Sequence, residues 1–151
     1  MTSKSTDVNI RFVSQATSRA SSSDHPARTL TERQLCEWLI ANDIAHQHAS
    51  DVFIVKAAAN GSPQLFVPDI TLKQKTRDGQ TIVLESLHSF SPKRGGMKAL
   101  HAFCRQYHEQ FCVVLIGKKA LLQSVPKNIA DLRCELESLD TLAKKLEKVM
   151  A

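Results

Sequence analysis

Two carboxylates in the middle of the chain, Asp69 and Glu85, stand in stretches that otherwise read as buried strand. Asp69 follows Val67-Pro68 and opens Ile70-Thr71-Leu72, while Glu85 closes Thr81-Ile82-Val83-Leu84. The acids are 16 positions apart, and the turn signal Asp78-Gly79 lies in the charged stretch between them. If the two runs pair across a loop of about five residues, a common hairpin length, the acids fall opposite each other on one side of the sheet. Like charges that close repel unless a cation lies between them. A sparse carboxylate pair suits a hard divalent ion whose shell is completed by water and substrate phosphate. The chemistry implied is metal-dependent cleavage of a phosphodiester.

Other residues with chemical potential are less pointed. His46 and His48 alternate on one strand face as a metal pair, with no third ligand apparent. His88 reads as a base or ligand, or more plainly as an ordinary surface or core histidine. Gly95-Gly96 either lets backbone approach a phosphate at a helix N-terminus or forms a flexible turn. The four cysteines, Cys36, Cys104, Cys112 and Cys134, include no Cys-x-x-Cys pair. That spacing argues against a zinc site and against a disulfide scaffold, so buried free thiols in a reducing cytoplasm are expected.

These residues need a scaffold. The 151 residues are enough for one domain with a real core. The net charge of +5 suits an anionic partner without the density of a histone-like protein. No apolar run approaches the roughly 20 residues needed to span a bilayer, and the first residues lack a signal-peptide core. Residues 1–28, rich in Ser, Thr and Ala, read as a flexible segment with one apolar patch at 8–13 that would form an edge strand or fray. The domain is expected over 29–151.

Its first helix starts at Thr29-Leu30-Thr31-Glu32, a capping-box pattern, and continues through Leu35, Trp38 and Leu39. Glu32 completes that cap, but it also precedes Leu35 and Leu39 by three and seven positions, which turns it toward the inner face. Residues 44–48 lead into a strand. Extended runs follow at 51–56, 65–73 and 81–87, with a loop at 60–63. A basic glycine loop at 91–96 precedes a helix over 97–109. The unbroken apolar run Phe111-Cys112-Val113-Val114-Leu115-Ile116 reads as a central strand buried on both faces. A short strand at 131–136 and an amphipathic helix at 139–150 close the chain. Helix, three strands in meander, helix and strand imply a mixed sheet with helices on its faces.

Thr31-Glu32 on the first helix, Val67-Pro68-Asp69 opening one strand and Val83-Leu84-Glu85 ending the next resemble the core of the PD-(D/E)xK, restriction-endonuclease-like nuclease superfamily. The resemblance implies an α/β fold with an αβββαβ core. It implies Asp69 and Glu85 as ligands of Mg²⁺ or Mn²⁺, the Ser86 carbonyl as a further ligand, and Glu32 as the catalytic helix carboxylate that in the superfamily sometimes joins them. The superfamily's lysine, two residues after the Glu, is Leu87 in this chain. Glu85-Ser86-Leu87 followed by Phe90-Ser91-Pro92 is similar to one branch, the archaeal nucleases that partner an XPB-like repair helicase, where a lysine on the next helix serves. That implies Lys98 as the catalytic cation, with Lys93 as second choice. The plainer reading of Lys98 is a solvated helix lysine. The resemblance extends over residues 29–148.

The function so implied is a divalent-metal-dependent DNA endonuclease, reading structure rather than sequence. Lys73, Lys75, Arg77, Lys93, Arg94 and Arg105 are the candidate contacts to backbone phosphates. A helicase or other protein partner, and a second copy in a homodimer, fit the same reading; a membrane does not. Low aromatic content argues against base stacking as the main binding mode. Leu87 supports the alternative, a nuclease-fold protein that does not cut and acts as a nucleic-acid-binding or partner-docking module. A subunit whose active site is completed by another chain is a third reading.

Overall fold

The computed structural model describes residues 29–56, 61–87 and 96–151. Helix α1 (Leu30–Ala41) begins at Thr29, whose Oγ1 accepts the Glu32 amide at 3.0 Å and so satisfies one N–H that the first turn cannot bond within the helix. Glu32, Leu35, Cys36 and Leu39 fall on its buried face, the i, i+3, i+4, i+7 stripe of a helix packed on one side. The expected inward turn of Glu32 is present: it is 1% exposed.

Strand β1 (His46–His48) follows, and then a hairpin of its own, β2 (Phe53–Val55) with β3 (Gln64–Phe66). Strands β4 (Ile70–Lys75) and β5 (Thr81–Ser86) pair antiparallel, with Lys75 opposite Thr81 and residues 76–80 as the turn. Gly79 takes φ +85° there, the left-handed conformation that glycine adopts without steric cost. Helix α2 (Gly96–Gln106) crosses to β6 (Phe111–Gly117), which runs parallel to β5. Short α3 (Lys119–Gln123) leads to β7 (Leu132–Glu135), a 3₁₀ turn at Leu136–Ser138 and α4 (Asp140–Val149). The main sheet has the order β1-β4-β5-β6-β7, with β1, β4 and β5 antiparallel and β5, β6 and β7 parallel.

Alternation along the strands builds two cores. Ile70, Leu72, Ile82, Leu84 and Val114 meet Leu35 and Leu39 of α1 and Leu142 and Leu146 of α4 on one face. Val83, Val113 and Leu115 meet Leu100 and Phe103 of α2 and Leu122 of α3 on the other. The β2–β3 hairpin packs on that second face through Phe53 and Phe66, whose rings lie 5.0 and 4.7 Å from Phe103. Strand β6 is buried on both faces, as its unbroken apolar run requires. The chain is therefore a mixed α/β protein with a five-stranded sheet flanked by helices.

Two expectations need correcting. The run 65–73 is not one strand: it breaks at Val67-Pro68-Asp69 into β3 and β4, which belong to different sheets. Pro68 has no N–H to give a ladder, so the chain changes partners there. Helix α3 was not anticipated; its five residues are too few to display a helical period. The 8–13 patch, His88, Lys93, Arg94 and Gly95 lie outside the described residues. Among the described residues no helix is long and apolar enough to cross a membrane.

Candidate functional site

The β4–β5 register, Ile70 opposite Leu84 and Thr71 opposite Val83, puts Asp69 opposite Glu85 one pair further on, where the ladder ends. At that end side chains take over from the backbone. Glu85 Oε1 accepts the Asp69 amide at 3.2 Å, and Asp69 Oδ2 accepts the Ser86 amide at 2.9 Å and the Ser86 hydroxyl at 2.8 Å. Asp69 and Ser86 are buried and Glu85 is half-buried. The Asp69 amide thus holds the Glu85 carboxylate, and the Ser86 amide and hydroxyl hold the Asp69 carboxylate, at the carboxyl end of β5.

The residues that follow α2 lie at the start of β5, where Gln80 Nε2 donates to the His108 carbonyl and the Thr81 amide to the Gln110 carbonyl, both at 3.0 Å. Lys98 is exposed in the first turn of α2. Asp69, Glu85 and Ser86 lie at the carboxyl end of β5, the side of parallel strands where α/β proteins form their crevices.

Of the remaining predicted cations, the four among the described residues do not gather there. Lys73 and Lys75 step away along β4, and Lys75 lies about 20 Å from Asp69 at strand rise. Arg77 sits in the far turn and donates to the Glu147 carbonyl at 3.1 Å. Arg105, near the far end of α2, donates to the Lys56 carbonyl at 3.3 Å. Leu87 packs against the second core and donates its amide to the Ile116 carbonyl at 2.7 Å. A groove of about 790 Å³ between α3, β7 and α4, with Lys119, Lys127 and Lys145 on its walls, includes none of the acid-pair residues.

Glu32 does not join the acid pair in a three-ligand set. Its Oε2 accepts the Nδ1–H of His48 at 2.8 Å. On the far side of that ring, His48 Nε2 lies 3.3 Å from Cys36 Sγ, and His46 Nε2 lies 3.4 Å from the same sulfur. His46 Nδ1 donates to the Ile44 carbonyl at 2.8 Å. Strand alternation aims both histidines at α1, and the four-residue step from Glu32 brings Cys36 onto the facing turn. All four side chains are buried, and burial, with Glu32 and Glu37 adding to it, pushes the Cys36 thiol up to about 11.

Cys36 is the residue that sequence reasoning missed. The signal was present as two alternating histidines and a cysteine on the inner face of the preceding helix, but only the β1–α1 packing joins them. Cys36, His46 and His48 offer one donor atom each within 4.8 Å of one another, a group able to hold a metal ion. Among the described residues, no comparable three-ligand set includes Asp69 or Glu85. Compared with known proteins, the chain matches no family model, no curated protein and no solved structure.

Proposed function

We propose that this chain is a divalent-cation-dependent phosphodiesterase acting on the DNA backbone, with a core of the PD-(D/E)xK kind. The observation that carries this reading is the opposition of Asp69 and Glu85 at the end of the β4–β5 hairpin, where the Asp69 amide donates to the Glu85 carboxylate. The order α1, β1, β4, β5, α2, β6, with the β2–β3 hairpin taken as an insertion, supports an αβββαβ core. The donor set at the pair is all oxygen, which fits Mg²⁺ or Mn²⁺ and not a soft ion. Such an ion, when bound, supplies positive charge that acidifies water and offsets charge building on phosphorus.

The chain's own residues do the positioning. The amide and hydroxyl of Ser86 fix the Asp69 carboxylate by two bonds, and the Asp69 amide fixes that of Glu85. Lys98, exposed in the first turn of α2, is the group that places an ammonium against the scissile phosphate in the absence of a lysine at 87. Substrate recognition then rests on shape and phosphate contacts rather than on base-specific side chains.

The experiment is digestion of labelled branched, flapped and single-stranded DNA by the purified chain with Mn²⁺ or Mg²⁺. Cleavage that Asp69→Ala and Glu85→Ala abolish supports the enzyme. A second reading, a nuclease-fold protein that binds nucleic acid or a partner without cutting, is favoured by Leu87, which is committed to core packing where the superfamily carries its lysine. DNA binding without cleavage, with no Mn²⁺ uptake by calorimetry that depends on Asp69, supports that reading instead.

A further inference from the structure

We propose that Cys36, His46 and His48 form a buried Zn²⁺-class metal centre that fastens edge strand β1 to helix α1, with Glu32 as the outer-sphere partner that orients His48. Among the described residues, the three donors of the centre include neither Asp69 nor Glu85. His46 and His48 lie opposite Leu72 and Ile70, whose side chains enter the core under α1 and α4, whereas Glu85 follows the alternation of Val83 toward the α2 face.

Three observations converge. The first is tautomeric. A carbonyl and a carboxylate can only accept, so His46 and His48 both carry a proton on Nδ1, toward Ile44 O and Glu32 Oε2, and a neutral ring there has its lone pair on Nε2. Both Nε2 lone pairs then face Cys36 Sγ, and the thiol's one proton is shared between two acceptors. A cation at their centre engages all three donors at once.

The second is metric. Zinc bonds of about 2.05 Å to nitrogen and 2.3 Å to sulfur, at a tetrahedral angle, separate N from S by about 3.6 Å. The observed separations are 3.3 and 3.4 Å, so loading requires only a few tenths of an ångström of outward movement. The third is the outer shell. Metal-bound histidines characteristically give their other N–H to a carboxylate or backbone carbonyl, and here one histidine does each. Two imidazoles and a thiolate select a borderline-soft ion over Mg²⁺ or Ca²⁺. Binding releases the Cys36 proton to solvent and leaves the fourth position to water.

The same atoms also spell nucleophile, base and orienting acid in the order Cys36, His48, Glu32. That reading fails on access and activation. Cys36 is 1% exposed, and its thiol is pushed up rather than down, the reverse of what a nucleophilic cysteine needs.

The test is Co²⁺ loading of the full chain after chelator treatment, read by absorption, alongside Zn²⁺ titration. One equivalent per chain is expected, with a thiolate-to-cobalt charge-transfer band and tetrahedral d–d bands. Zn²⁺ at a hundredfold excess over Kd should raise Tm by roughly 5–10 °C. Cys36→Ala should lose the charge-transfer band, and Glu32→Gln, which keeps all three donors, should weaken binding about 10–100-fold. Absence of stoichiometric Co²⁺ uptake by the wild type, or a charge-transfer band that survives in Cys36→Ala, overturns the proposal. If Cys36→Ala does not fold, the wild-type spectrum and Glu32→Gln decide on the same criteria. Because the readout is spectroscopic, a failure here leaves the phosphodiesterase reading untouched, and the converse holds.

Discussion

Glu32 Oε2 and His48 Nδ1 meet at 2.8 Å with both side chains almost wholly shielded from water. This pair joins the first turn of α1 to edge strand β1, and it diverts to the cluster a carboxylate that the sequence pattern assigned to the acid pair. Removing one member takes this bond from a buried polar group, which costs more than the bond itself contributes. Glu32→Ala should therefore destabilise the chain by about 3 kcal/mol, and Glu32→Gln by about 1–2 kcal/mol, since an amide oxygen still accepts. Urea midpoints at constant m-value measure both.

Asp69 contributes charge and a clasp, and the two can be separated. Asp69→Asn retains an oxygen for the Ser86 amide and hydroxyl but loses the negative charge. It should leave Tm within a few degrees of wild type while reducing cleavage at least ~100-fold. Ser86→Ala does the reverse in kind. It removes one donor at 2.8 Å, costs about 1 kcal/mol of stability and loosens the carboxylate without discharging it, so cleavage should fall less than in Asp69→Asn.

Gly117 ends β6 against Leu87. A Cβ at 117 would stand 2.9 Å from Leu87 Cβ and 3.3 Å from the Leu87 carbonyl oxygen, closer than backbone can tolerate. Gly117→Ala should cost about 1–3 kcal/mol by overpacking, and Leu87→Gly in the same chain, which removes the Cβ that it meets, should relieve part of it. A thermal double-mutant cycle reads the coupling.

Burial pushes three thiols, Cys36, Cys104 and Cys112, up to about 11 from an ordinary 9.0. A group whose folded pKa is raised favours the folded state below its unfolded pKa and ceases to do so above its folded one. The metal-free chain should accordingly hold its stability to about pH 9 and lose it progressively through pH 11. Tm measured across that range should fall, and native thiols at pH 8 should alkylate far more slowly than those of the urea-unfolded chain.

Local signals carried much of the architecture. The Thr29 cap, the turn with Gly79 at φ +85°, the buried β6 and the opposition of Asp69 and Glu85 all follow from spacing within a few residues or within one hairpin. What escaped was set by packing between elements distant in sequence. Cys36 meets His46 and His48 only because α1 lies across β1, and Arg77 is drawn to Glu147 because α4 returns to the far turn of the hairpin. The break at Pro68 was legible in principle, since proline cannot donate to a ladder, but strand-forming neighbours on both sides masked it.

The most direct measurement is single-turnover cleavage of a labelled flapped duplex with and without Mn²⁺, comparing wild type with Asp69→Asn and Glu85→Gln at matched folding. The account predicts Mn²⁺-dependent product from the wild type and a loss of at least ~100-fold in either variant. Equal cleavage by all three proteins, or none by the wild type on any DNA structure, would contradict it.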